Sequence, residues 1–271
     1  MQLPTRKFTK FVLSENGLSQ GTPDEVPTEE PLEIRVRGKS IAVIMRTPGH
    51  DKDLVAGFLA TEGIIQRAGQ IIEMEYCQRG EEGASENIMN AFLTSDAVFD
   101  EEKNRRNLYA SSSCGLCGKA TIEAIHQNFP PVESREQIDK AVLFSLSDKL
   151  RAAQPMFDKT GSLHGVGLFD FQGNLLVARE DVGRHNAVDK VMGWALLKGR
   201  WPLPGHVLFV SGRLSFEITQ KALAGGISII GGVSGPTSLA VEMAQDSGIT
   251  LFGFSRGGQT NIYSHPHQIR V

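Results

Sequence analysis

The chain has 271 residues, 40% hydrophobic and 22% charged, with a formal net charge of -3. That supplies a sizeable core, as one large domain or two small ones, and argues against a duplex nucleic-acid binder, which carries a basic excess. With three cysteines, no apolar stretch of the roughly eighteen residues a membrane span needs and no signal segment, the expectation is a cytoplasmic protein, neither disulfide-stapled nor membrane-bound.

Residues 1–28 mix Lys, Thr, Gln, Glu and prolines without periodicity and read as a flexible N-terminal arm. Leu32, Ile34 and Val36 alternate with Glu33, Arg35 and Arg37, and Gly38-Lys39 leads into Ile41 to Met45, which predicts a hairpin. Thr47-Pro48-Gly49-His50 ends it, and a helix follows through Leu54, Val55, Phe58 and Leu59, with Asp51 as N-cap and Gly63 as stop. Strands are expected at Ile71 to Cys77 and Ile88 to Thr94. The charged stretch Asp96 to Asn107 reads as a loop, Pro130-Pro131 closes a helix after the cysteine pair, and Ser134 to Phe157 reads as helical. The internal boundary falls near 130–135, which separates an N-terminal α+β part (29–132) from a C-terminal α/β part (133–271).

The second half opens with a hairpin, His164 to Phe171 and Leu175 to Arg179, then a helix from Asn186 to Leu197 whose apolar stripe reads as core. Strands Val207 to Val210, Ile227 to Ile230 and Ile249 to Phe252 alternate with helices Phe216 to Ala224 and Ser238 to Gln245. Apolar strands separated by helices mean parallel pairing with both faces covered. Each strand ends in a small-residue loop: Ser211-Gly212-Arg213, Gly231 to Pro236, and Phe254 to Gln259. Open α/β sheets bind ligands at that edge, and glycine N–H groups beside a guanidinium suit phosphate oxygens.

Two stretches are dense in chemistry. Cys114-Gly115-Leu116-Cys117-Gly118 precedes a predicted helix, where unpaired N–H groups, the helix dipole and Lys119 favour a thiolate. The spacing admits a redox dithiol, half of a zinc site or a sulfur acceptor that passes on a persulfide, beside the plain alternative of two buried small hydrophobes. A closed zinc site lacks a second pair, although Cys77 and a histidine could complete one, and the position in the chain is not that of a thioredoxin motif. Deaminase chemistry needs Pro-Cys-x-x-Cys and His-x-Glu, but Ser113 stands where proline would be and no histidine is followed two residues on by glutamate. The second stretch, Arg179 to Asn186, packs two acids, two arginines and a histidine into a strand-to-helix turn. It reads as a polar-ligand site or, more plainly, as helix capping by Asp181 with Arg184 and His185 in solvent. His164, at a strand start, could face the same edge.

The chain resembles the FdhD family, the accessory sulfurtransferases of formate dehydrogenase. The resemblance runs from Glu29 to Arg270. It is carried by Thr47-Pro48-Gly49-His50, Gly57-Phe58-Leu59 with Glu62-Gly63-Ile64-Ile65, Ser112-Ser113-Cys114-Gly115-Leu116-Cys117-Gly118, Thr160-Gly161 with His164, and Glu180 to Lys190. Ser211-Gly212-Arg213 with Ser215-Phe216-Glu217, Ser238 to Val241, and Gly253-Phe254 leading to Asn261-Ile262-Tyr263 complete it. It implies a C-terminal part similar in fold to cytidine deaminases, which with the strands and helices above gives an α/β fold, a mixed or parallel sheet layered with helices, beside a smaller N-terminal α+β part. It also implies a sulfur carrier that takes a persulfide from a cysteine desulfurase on Cys114, with Cys117 as supporting thiol. The sulfur then goes to the metal of Mo-bis(molybdopterin guanine dinucleotide), bound by Phe254, Ser255, Arg256, Gly257, Gly258 and Gln259, before that cofactor enters formate dehydrogenase. No permanently bound metal is implied. A pseudo-symmetric cargo and the prevalence of two-fold assemblies make a homodimer the expected state. A non-catalytic cofactor-binding chaperone and a zinc-stabilised scaffold are the competing expectations.

Overall fold

The computed structural model describes residues 2–77, 85–97, 122, 125, 126, 128–134 and 136–271. Residues 2–28 carry two strand pairs where the aperiodic sequence reads as an arm. β1 (Thr5–Lys10) pairs antiparallel with β4 (Thr22–Pro27), and β2 (Leu13–Ser14) with β3 (Gly17–Leu18). An ion pair between Lys10 and Asp24 at 2.9 Å and another between Arg6 and Glu30 brace this ribbon. Its strands left no mark in the sequence because little of the ribbon packs on a core, so Phe8, Leu13 and Leu18 stay exposed and follow no period.

β5 (Glu30–Val36) and β6 (Lys39–Arg46) form the predicted hairpin, turning through Arg37 and Gly38 at φ 52° and 77°. With β7 (Ile71–Cys77) and β8 (Ser85–Leu93) they make a four-stranded sheet of order β6-β5-β8-β7. One face buries Leu32, Ile34, Val36, Met89 and Ala91 against α1 (Asp51–Thr61). The N-cap of α1 is His50 rather than Asp51. Asp51 is engaged elsewhere: its carboxylate accepts from Arg46 Nη2 and from the Tyr76 hydroxyl, both at 2.9 Å. Burial and the neighbouring Asp51 carboxylate raise the Tyr76 phenol, so it stays a donor. Gly63, at φ 73°, follows the end of the helix as predicted.

The expected helix over 134–157 divides. β9 (Ile138–Asp139) comes first, and the Asp139 side chain caps α2 (Lys140–Ala152) by accepting Ala141 N–H at 2.9 Å. Pro155 starts a separate α3 (Pro155–Thr160), because its missing N–H suits a first turn and breaks an interior one. Then follow β10 (His164–Asp170), β11 (Leu175–Asp181), α4 (Arg184–Leu197), β12 (His206–Val210), α5 (Phe216–Ala224), β13 (Ile229–Gly232), α6 (Ser238–Asp246), β14 (Thr250–Arg256), β15 (Gln259–Ile262) and β16 (Ile269–Arg270). The large sheet has the order β11-β10-β12-β13-β14-β15. β12, β13 and β14 are parallel, as the apolar runs predict, while β10, β11 and β15 join antiparallel to give a mixed α/β sheet. α4, α5 and α6 pack on one face through residues such as Val191, Ile218 and Met243. Leu143, Leu146 and Leu150 of α2 cover Phe209, Ile229 and Phe252 on the other.

α1 and α4 join the two halves by crossing at glycines. A methyl at Gly57 would lie 2.8 Å from Gly193 N, and one at Gly193 would lie 2.6 Å from Gly57 N, so only two glycines permit this approach. Beside the crossing, Lys190 reaches Asp181 at 2.7 Å and donates to Thr47 O at 2.8 Å, while Lys221 pairs with Asp189 at 3.0 Å. Both pairs are buried, so removing either partner would strand a charge at a cost of about 3–5 kcal/mol.

Candidate functional site

The three parallel strands end at one edge, and hydrogen bonds tie the segments that follow them. Leu214 N–H donates to Gly235 O at 3.1 Å, Thr237 N–H to Leu214 O at 3.0 Å, and Phe254 N–H to Ser234 O at 3.2 Å. The loops after β12 and β13 and the end of β14 therefore form one continuous rim.

Residues 254–259 are a hairpin. Phe254, Ser255 and Arg256 end β14, Gln259 begins β15, and Gly257-Gly258 turn between them at φ 60° and 75°. Two consecutive positive φ values are what a two-residue hairpin turn demands, so these glycines serve the turn first. The strand is irregular between Gly253 and Arg256, and Phe254 sits at φ 55° with 46% of its surface exposed. Its ring lies over Gly235, where an added Cβ would be 2.5 Å from Cζ. Arg256 and Gln259 are exposed. Ser255 is buried, with its Oγ lacking a hydrogen-bond partner among the described residues. An open aromatic face, an exposed guanidinium and a hydroxyl unsatisfied among the described residues suit a planar, anionic ligand.

Farther along the rim, His164, Arg184 and Gly212 crowd together: a Cβ at Gly212 would lie 3.1 Å from His164 Nδ1 and 3.9 Å from Arg184 Cβ. Arg184 Nε is buried and unpaired among the described residues, and Arg213 is exposed. His185 Nε2 is 3.0 Å from Ser215 Oγ, and its Nδ1 is 3.2 Å from Glu217 Oε2. Burial, then the charge of Arg184, holds His164 below the ordinary imidazole range. Burial drives His185 down to about 3, helped by Arg184, Lys221 and His164, which favours the neutral ring. Glu217 moves the other way, its carboxyl raised by burial against the pull of Lys221.

The stretch Arg179 to Asn186 divides between structure and site. Arg179 bridges to Asp53 of α1 at 2.8 Å, and Glu180 accepts Met156 and Phe157 N–H at 2.9 and 2.7 Å, holding the first turn of α3. Asp181 accepts from Thr47 N at 3.1 Å, Gly183 N at 2.8 Å and the Asn186 amide at 3.0 Å, which fastens the Thr47-Pro48-Gly49 loop to the C-terminal half. The N-cap of α4 is Gly183, not Asp181. Only Arg184 and His185 belong to the rim.

Ser215 and Glu217 entered the sequence reading without a chemical role. The available signal was two polar residues bracketing Phe216 at a helix start, immediately after Ser211-Gly212-Arg213. Cys114 and Cys117 lie outside the described residues; Cys77 ends β7, half-buried. Among the described residues, no three of His, Cys, Asp and Glu gather as metal ligands, and no helix is long and apolar enough to cross a membrane.

A mixed α/β sheet whose parallel strands end in a rim of arginines, glycines and an exposed aromatic has the kind of edge at which open α/β sheets bind polar ligands. The chain belongs to the FdhD/NarQ family, whose profile matches residues 27–270. Sulfur carrier protein FdhD of Streptomyces avermitilis is 45% identical, the match covering 97% of this chain and 95% of that protein. Sulfur carrier protein FdhD of Sulfolobus acidocaldarius is 40% identical, with 99% of each covered. The crystal structure of a putative formate dehydrogenase accessory protein from Desulfotalea psychrophila superposes with a TM-score of 0.77, at 27% identity, over 99% of this chain and all of that one.

Proposed function

We propose that this protein is a sulfur carrier serving formate dehydrogenase. The observation that carries the reading is full-length similarity at 40–45% identity to proteins named as sulfur carriers. In this reading the thiolate of Cys114 attacks the persulfide of a cysteine desulfurase, takes its terminal sulfur and releases the desulfurase thiol. Cys117 supports the step as a neighbouring thiol. The sulfur passes to the metal of a bis-molybdopterin guanine dinucleotide held as cargo at the rim before that cofactor enters formate dehydrogenase. Phe254 supplies a face for a guanine, Arg256 and Arg184 face the pyrophosphate, and the unpaired Ser255 Oγ and Arg184 Nε are polar groups such a cargo would satisfy. The protein works in the cytoplasm as a homodimer, one rim for each half of the cargo; a monomer mass in sedimentation would contradict that.

Complementation tests the reading. In cells lacking their own copy, the wild-type chain restores formate dehydrogenase activity and Cys114→Ala does not. Full restoration by Cys114→Ala would leave a cofactor-binding chaperone instead.

A further inference from the structure

Ser215, His185 and Glu217 stand in a line that the carrier chemistry leaves unused, the serine hydrogen-bonded to the ring and the carboxylate at ion-pair distance beyond it. Ser215 is the N-cap of α5, yet its hydroxyl makes no capping bond. It is turned to His185 Nε2 at 3.0 Å, while Glu217 Oε2 stands 3.2 Å from Nδ1 on the far side of the ring. The arrangement copies the connectivity of a nucleophile, base and orienting acid. It is not a hydrolytic triad, because a hydrolytic base must become imidazolium, and Arg184 and Lys221 both oppose that charge.

The line has two states that differ by one proton. In the first, His185 carries its proton on Nδ1, beside the Glu217 carboxylate 3.2 Å away, and Nε2 accepts the Ser215 O–H, so the serine offers the rim only acceptor lone pairs. In the second, a proton from solvent is held by the Glu217–His185 pair, Nε2–H donates to Ser215 Oγ, and the serine O–H is free to donate to a ligand. Whether that proton sits on the carboxyl or the ring, the result at Ser215 is the same. The charged and titratable groups facing the pair are Arg184 at the head of α4, Lys221 on α5, Glu62 beyond α1 and His164 on β10, with Arg213 acting on His164. Without ligand, the two cations facing His185 disfavour the extra proton; an anion beside Arg184 cancels part of their field and admits it.

We propose that Glu217, His185 and Ser215 are a positioning relay which, when a phosphate diester binds the rim, takes up one proton and turns the Ser215 hydroxyl into a donor to a phosphate oxygen. This rests on the reading that the rim holds a pyrophosphate-linked guanine cargo. The probe is diguanosine pyrophosphate, whose diester oxygens have no proton to gain or lose near neutrality. Calorimetric titration of the full chain in two buffers of different ionisation enthalpy counts the protons bound, and repeating it between about pH 5 and about pH 8 gives the slope.

The expected result is net proton uptake and an affinity that rises as pH falls, by up to about tenfold per unit. In Glu217→Gln the ring, facing Arg184 and Lys221, has no carboxylate with which to share the proton, and the affinity no longer varies with pH. Binding by the wild type without proton uptake, or the same slope in Glu217→Gln, overturns the relay and leaves the proposed function standing. Absence of binding overturns both. The wild-type measurement decides alone if the variant does not fold.

Discussion

Replacing Gly57 by alanine tests the structural argument on which the site depends, namely that the two halves meet through bare backbone where α1 crosses α4. The new methyl would lie 2.6 Å from the carbonyl carbon of Asp189 and 2.8 Å from Gly193 N, and closer still to the Asp189 oxygen. Ordinary contact between such atoms is about 3.5–4.0 Å, so the helices must part by roughly 1 Å, and a gap of that size forfeits a quarter to a half of the dispersion along the seam. Overpacking a core costs about 1–3 kcal/mol. Here the clash is with main chain rather than a rotatable side chain, and the buried Asp189–Lys221 and Asp181–Lys190 pairs beside it are disturbed as well, so about 3 kcal/mol is expected. With an unfolding entropy of ~2.1 cal/mol/K per residue, 271 residues give ~0.6 kcal/mol/K, and the melting temperature should fall by about 5 °C. Gly69→Ala is the control, since the nearest atom to its added methyl is Arg67 Nε at 3.9 Å. Thermal unfolding followed by circular dichroism reads both. A Gly57→Ala melting point within about 1 °C of wild type would refute the crossing geometry.

Three further outcomes are expected. Because burial and its cationic neighbours hold His185 at about 3 against an ordinary 6.5, the unfolded chain binds a proton that the folded chain refuses. Its contribution to stability is therefore complete above pH 6.5 and falls as pH drops through that window. His185→Asn should remove this slope, at most about 1.4 kcal/mol per pH unit, in urea midpoints at about pH 7.5 and about pH 5.5; an unchanged pH dependence would contradict it. Gly235→Ala pushes on the Phe254 ring, so guanine-nucleotide affinity should fall about tenfold with little change in melting temperature, and unaltered affinity would remove Phe254 from the site. Cys114→Ala should abolish sulfur uptake while leaving nucleotide affinity at the rim as in wild type, which equilibrium binding can check.

Much of this architecture was legible because burial leaves a period in the sequence. The hairpin at 30–46 follows alternation, β12 to β14 follow apolar runs, and α4 follows its stripe, each of which has one consistent environment. The ribbon at 5–27 had no core face to write a pattern, and Asp51 resembled a cap because a sequence does not display Arg46 and Tyr76 folded back onto it. The site divides along the same line. Glycine and arginine at strand ends marked out the rim, whereas Arg179, Glu180 and Asp181 looked like ligand residues until their partners, Asp53, the α3 first turn and Thr47, came from distant parts of the chain. Ser215 and Glu217 acquire a role only once the fold brings His185 between them, a contact spanning about 30 residues of sequence that no local spacing encodes.

The most direct test of the carrier role is to incubate the purified chain with a cysteine desulfurase and cysteine labelled at sulfur, then measure label bound to protein before and after thiol reduction. The account predicts one reducible sulfur per wild-type chain, and none on Cys114→Ala. Equal, reducible labelling of Cys114→Ala and wild type would contradict it.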